Sequence, residues 1–404
     1  MAMCAGAATS QNAPPPSTSD SQQVQLGDVF TQQTLNVEDA SGPTTVTTAS
    51  TGNSLAVGTD GAPLTQTASQ TMSGATRAST TINGTGSLGA GTGSIGDGVT
   101  VITQSTANAS QSSASGADLN STVSQVANGS AISAATTINA ATGTLTTSGE
   151  VSTNAIANSQ AYGMDTGALT ATTTQTSQTA VQATTDANVQ YMPAPATFSA
   201  SAVANSVAAD GANGSQTQAI TQTSNGSSVQ GASDVSSGNA WTLTSAGTAV
   251  ANTATVTNSG GSLDMSVNQA NSAYVRADSG AGAYEYGSVT SSAYATGNSS
   301  LAGESGPYLN FDNTQATSGG VEAVARFNGS GGYDATVSAV ATGNSTTGYA
   351  CAVCEATISA SNRQTNSDGV SATTQVDLAG SSRGVNANAT ATGNTATFYT
   401  SRPR

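Results

Sequence analysis

Five carboxylates between residues 285 and 334 are the densest acids in this chain and the obvious place to look for acid–base chemistry. Glu285, Glu304, Asp312, Glu322 and Asp334 lie there, with Arg276 and Arg326 close in sequence. A hydrolase or lyase acting on polysaccharide would need such groups paired across a cleft. Their spacing alone supplies no pairing, and without one they read as solvated surface. Cys351 and Cys354 form a CxxC. Two thiolates are half of a zinc site, and the chain has no histidine to complete it. A local disulfide bracing one loop is the expectation for an exported chain, with free thiols the alternative.

The missing residue types exclude more than the present ones suggest. There is no histidine and no lysine; the seven basic residues are all arginines. Imidazole-based nucleophilic catalysis and phosphate cradles that rely on a lysine are therefore out. We expect no catalysis, no cofactor and no metal. The net charge is −15, which disfavours nucleic acid and anionic lipid surfaces as partners. No apolar run of about 18 residues exists to span a membrane as a helix.

What positions side chains here must be repetitive, because one word returns throughout. Asn53, Asn108, Asn158, Asn205, Asn252, Asn298, Asn344 and Asn394 each follow a small Gly or Ala. Successive gaps are 55, 50, 47, 47, 46, 46 and 50 residues. A constant period of this size means stacked units. A second word recurs about 20 residues after each asparagine and about 27 before the next. It starts at Gln125, Gln175, Gln222 and Gln315, and in altered form at Asn268 and Arg363. The unit reads as two half-repeats, each about one turn of chain, which gives roughly fifteen turns and a rod near 70 Å long at about 4.8 Å per turn.

Composition decides the class of turn. Thr, Ser, Asn and Gly are poor in helix interiors, whereas Val, Thr and Tyr alternate with small residues as strands require. The expectation is all-β: a β-solenoid over 51–404, built from double repeats of about 47 residues, with a glycine-rich insertion at 82–98. Residues 8–50 read as a leader or tether. Residues 1–7 include Ala5-Gly6-Ala7, the small-x-small form of a signal-peptidase site. Two roles are open for the asparagines. Turned inward, they could ladder and fix register; at a Gly-Asn corner, they would mark a surface turn at positive φ.

Gln and Asn at set spacing beside Gly and Ala are similar to curlin-type repeats. With the acidity, the missing lysine and the export-like start, the chain resembles the holdfast anchor family of stalked alphaproteobacteria. That resemblance implies a secreted, outer-membrane-associated surface protein that anchors an adhesive extracellular polysaccharide. It implies self-association or fibre partner subunits of curlin type, and an outer-membrane export lipoprotein. Asn53-Ser54-Leu55-Ala56-Val57-Gly58 and Asn158-Ser159-Gln160-Ala161-Tyr162-Gly163 also resemble the head repeat of trimeric autotransporter adhesins, without that family's shorter period. A β-helix enzyme and an ice-binding solenoid are further alternatives, the latter on Thr-x-Thr ranks such as Thr242-Leu243-Thr244. Tyrosines crowd the C-terminal third; Tyr274, Tyr284, Tyr286 and Tyr294 are candidates for contact with polysaccharide or partner, or else fill the core.

Overall fold

The computed structural model describes residues 15–84, 94–351 and 356–400. Segment 1–7, most of the 82–98 stretch and Cys354 lie outside them. Every regular element is a strand. The first turn consists of β1 (Ser17–Gln25), β2 (Val29–Val37) and β3 (Thr44–Asp60). The second consists of β4 (Leu64–Met72), β5 (Thr76–Gly84) and β6 (Val99–Ser115). Beyond them come β7 (Leu119–Ala127), β8 (Ala131–Thr144), β9 (Gly149–Ser177), β10 (Ala180–Ser224), β11 (Ser228–Ser259) and β12 (Ser262–Asn271). The last are β13 (Tyr274–Glu304), β14 (Tyr308–Thr317), β15 (Val321–Ala350), β16 (Thr357–Asn366), β17 (Val370–Leu378) and β18 (Ser382–Thr400).

Each strand pairs in parallel with its equivalent one period away. β1 pairs with β4, β2 with β5 and β3 with β6. A turn therefore has three sides: two short, and a third about twice as long. The first side recurs in β1, β4, β7, β9, β10, β12, β14 and β16, which makes eight turns among the described residues. This corrects the half-repeat reading. Asn53 stands opposite Asn108, and Gln70 opposite Gln125, so the whole period is one turn. Eight turns rise roughly 35 Å, not 70.

The stack also begins earlier than residue 51. β1 and β2 fall within the 8–50 segment, yet they hydrogen-bond along their full lengths to β4 and β5. A neighbouring turn offers a row of free backbone groups, and a polar strand such as STSDSQQVQ satisfies them without needing much apolar surface of its own.

Side chains alternate in and out along every side. The inward ones form two separate apolar cores. One lies between the second side and the first half of the third, around Ile138, Val189, Phe198, Val275 and Phe327. The other lies between the first side and the second half of the third, around Leu119, Leu169, Val256, Leu263 and Phe311. A hydroxyl zipper runs through the first core: Thr80, Thr103, Thr136, Thr153 and Thr185 bond in sequence at 2.7–2.8 Å.

The third side bends where the asparagines lie. Ala157 and Asn158 are both buried, as are Ala204 with Asn205 and Ala251 with Asn252. The inter-strand register skips the first member of each pair. The register itself is kept on both strands, so this is a bend repeated in equivalent positions of successive turns rather than an insertion in one strand; it shifts the in–out alternation by one residue. None of these positions has positive φ, so the corner role at positive φ does not apply. Close approach keeps this position small instead: a Cβ on Gly343 would sit 2.4 Å from the Gly393 carbonyl oxygen, and the turns that do carry a Cβ here have nothing larger than alanine.

Candidate functional site

The eight asparagines at this bend stack into one column at the waist between the two cores. Asn53 Nδ2 donates to Asn108 Oδ1 at 2.8 Å, and the same bond links each following pair through Asn394 at 2.7–2.8 Å. The second Nδ2 proton crosses the waist to a carbonyl on the first side. Asn108 donates to Val126 O, Asn158 to Thr176 O and Asn205 to Thr223 O at 2.9–3.0 Å. Both Nδ2 protons of an interior asparagine and its Oδ1 thus have a partner inside a buried site, which is what makes a buried amide tolerable.

A glutamine column faces it from the first side. Gln125 Nε2 donates to Gln70 Oε1, Gln175 to Gln125, and Gln222 to Gln175, each at 2.8 Å. The remaining proton crosses back: Gln125 bonds Ser159 O and Gln175 bonds Ser206 O. The two columns run with opposite polarity. Asparagines donate toward the C-terminal turn, and glutamines toward the N-terminal one.

The glutamine column includes residues the sequence reading missed. Gln23, Gln70, Gln269 and Gln364 belong to it. Asn268 and Arg363, the altered words, point outward one residue earlier. A signal was present: Gln70, Gln125, Gln175, Gln222, Gln269 and Gln315 each stand 17 residues after their asparagine.

The four tyrosines do not form one surface. Tyr274 opens the second side and donates to the Glu322 carboxylate. Tyr286 is buried, edge-on to Phe327 with ring centroids 5.0 Å apart, and packs with the first apolar core. Tyr284 and Tyr294 are exposed, on the edge between second and third sides and on the third side respectively. Cys351 is disulfide-bonded.

The acids disperse over the three sides rather than converge. Asp334 pairs with Arg383, whose guanidinium holds its carboxyl below the usual range. Arg276 and Arg326 both clasp Asp278, at 2.7 and 2.8 Å. Asp234 is pushed up by burial and by Asp186 and Asp278. Glu304 is buried at the turn from third to first side; it accepts from Asn258 Nδ2 at 2.8 Å and from the Gly306 amide. Burial pushes its carboxyl up, against those two hydrogen bonds. Among the described residues no group of three or more metal-ligating side chains occurs, and no helix is long and apolar enough to cross a membrane.

The arrangement is built for axial cohesion. Comparison with curated proteins and with solved structures finds no match. The family described as holdfast attachment protein D (HfaD) matches residues 63–320. That span is well over half of the chain and covers the complete second to sixth turns. The chain therefore belongs to the holdfast attachment protein D family, whose role is attachment at the cell surface.

Proposed function

We propose that this chain is a structural link between the bacterial outer membrane and an adhesive extracellular polysaccharide. It is exported, held at the outer membrane, and works beside fibre-forming partner subunits without catalysing a reaction. The observation that supports this reading best is the register-locked stack. Two buried amide columns and three parallel ladders tie each turn to the next, in a chain that belongs to an attachment family. Deleting the gene tests it: cells should still make the adhesive but shed it into the medium. Cells that retain their adhesive on a surface-washing assay would refute the link. The fibre character has its own test in negative-stain microscopy with a cross-β dye. Dye-positive growing fibres of the purified chain support an amyloid-like subunit, and discrete dye-negative particles assign the fibres to the partners.

A further inference from the structure

The chain has one tryptophan, and it is exposed. Trp241 is 59% accessible, on the edge where the second side turns into the third. Its position is defined by its neighbours in register. Ala240 stands opposite Tyr286 and Thr242 opposite Ser288; Tyr286 stands opposite Gly332 and Ser288 opposite Asp334. Gly332 and Asp334 stand opposite Ser382 and Gly384. Trp241, Gly287, Tyr333 and Arg383 therefore form one column over four successive turns.

The column alternates between aromatic and empty. A Cβ on Gly287 would lie 2.4 Å from the Trp241 carbonyl oxygen and 3.1–3.2 Å from its indole carbons, so only glycine lets the indole settle across that turn. Tyr333, 52% exposed, is two turns from Trp241, about 9.5 Å along the axis. That step is close to the length of one disaccharide in an extended chain. Arg383 lies over the Tyr333 ring, 5.3 Å from its centroid, and is ion-paired with Asp334, which cancels its charge. Beside the column runs a groove of ≈ 550 Å³ that also takes in Tyr191, Asn239, Glu285 and Ser381. Exposed aromatic faces, a glycine floor and a few hydrogen-bonding groups mark a recognition groove.

We propose that this edge binds an extended, neutral pyranose polysaccharide running along the stack axis. Trp241 and Tyr333 stack on alternate sugars, and Asn239, Glu285 and Ser381 serve the ring hydroxyls. An anionic glycan is disfavoured, because the only cation in the column is already neutralised and Glu285 adds a negative charge. The inference rests on the reading that this protein holds a polysaccharide, and deepens it by naming the surface and the glycan class.

The single tryptophan makes the test direct. Full-length protein is titrated with cellohexaose, chitohexaose, mannohexaose and hexagalacturonate while Trp241 emission is recorded. At least one neutral hexasaccharide should shift the emission, and hexagalacturonate should not. Tyr333→Ala, which keeps the reporter, should weaken that binding about tenfold or more. Tyr308→Ala, an exposed tyrosine away from the column, should bind as the parent does. Unchanged melting temperatures keep folding out of the comparison. Emission unmoved by every neutral hexasaccharide, or Tyr333→Ala binding like the parent, overturns the proposal. Native electrophoresis through gels containing the purified adhesive separates the two claims. Equal retardation of parent and Tyr333→Ala would discard this edge and leave the polysaccharide reading standing. No retardation of the parent would discard both.

Discussion

Replacing Asn205 by alanine should be among the most damaging changes of a single polar residue in the middle turns. Asn205 is fully buried. Its Oδ1 accepts from Asn158 Nδ2 at 2.8 Å; its Nδ2 donates to Asn252 Oδ1 at 2.8 Å and to Thr223 O at 2.9 Å. Alanine leaves one Asn158 proton and the Asn252 oxygen without partners, in a site flanked by two apolar cores. Each orphaned buried group costs about 1–3 kcal/mol, so the two together cost about 2–6 kcal/mol. The Thr223 carbonyl adds less, since it has a second lone pair. Asn139→Ala is the control. Asn139 donates to Asn83 Oδ1 at 3.0 Å in an equivalent rung, but an exposed one, and water replaces what it loses. Its cost should stay within about 0.5 kcal/mol. In a stack of turns the damage is local, so amide hydrogen exchange across 196–224 is the suitable assay. Asn205→Ala should accelerate exchange there by about one to four decades, at 1.4 kcal/mol per decade, and Asn139→Ala should barely change it in its own turn. Equal effects from the two variants would refute the view that burial, rather than the amide–amide bond itself, gives the column its strength.

Three other outcomes follow from the geometry. Glu304 has its folded-state carboxyl raised above the ordinary 4.5 by burial, so the stability it contributes is fully present below about pH 4.5 and lost as pH rises through the raised value. Denaturant midpoints of the parent should therefore rise relative to Glu304→Gln as pH falls from 7 toward 4; a constant difference would count against it. Tyr286→Ala should cost about 3–5 kcal/mol by opening a cavity beside Phe327, whereas Tyr284→Ala, 66% exposed, should change melting within about 0.5 kcal/mol. Gly214→Ala would place a Cβ 1.8 Å from the Gly167 carbonyl oxygen, so it should destabilise by about 1–3 kcal/mol or more, read as lowered melting temperature.

Much of this fold is legible in the chain because identical positions of a stack face identical environments. The returning asparagine marks the period, and the alternation of Val and Thr with small residues marks strands. The number of turns is not legible in the same way. Each period carries two amide words, and a single sequence does not say whether the second stacks on the first or on its own kind. The hydrogen bonds decide: Gln175 meets Gln125 and Gln222, and meets the asparagine column only through backbone carbonyls. The glutamine register was hidden at Asn268 and Arg363 because a polar residue on the outward neighbour imitates the word. Tyr286 was hidden by its corner. Tyr284 and Tyr286 have the same parity, which on an uninterrupted strand would place them on one face; the chain turns from second to third side between them. The aromatic edge was out of reach for a related reason. Trp241 and Tyr333 are 92 residues apart in the numbering and become neighbours only once the turn length is known.

The opposite polarity of the two amide columns bears on why such a chain suits attachment. Each turn touches only its neighbours, so the stack withstands no more than its weakest interface. The apolar cores are thin, with alanine and valine far commoner than leucine or phenylalanine among the buried residues. Apolar packing of that kind discriminates poorly between one register and the next. The amides discriminate strongly. A slip by one residue would turn both columns outward, and inverting a turn would set amide nitrogen against amide nitrogen in one column and oxygen against oxygen in the other. Every alternative stacking therefore orphans buried groups in two places per interface, at about 1–3 kcal/mol each. A single column would specify register but leave its aligned side-chain dipoles adding along the axis. Two columns donating in opposite directions specify the same register while those dipoles cancel. Cohesion is thereby kept inside the stack, uniform from turn to turn, and the outer faces and edges remain free to differ, as the edge carrying Trp241 does.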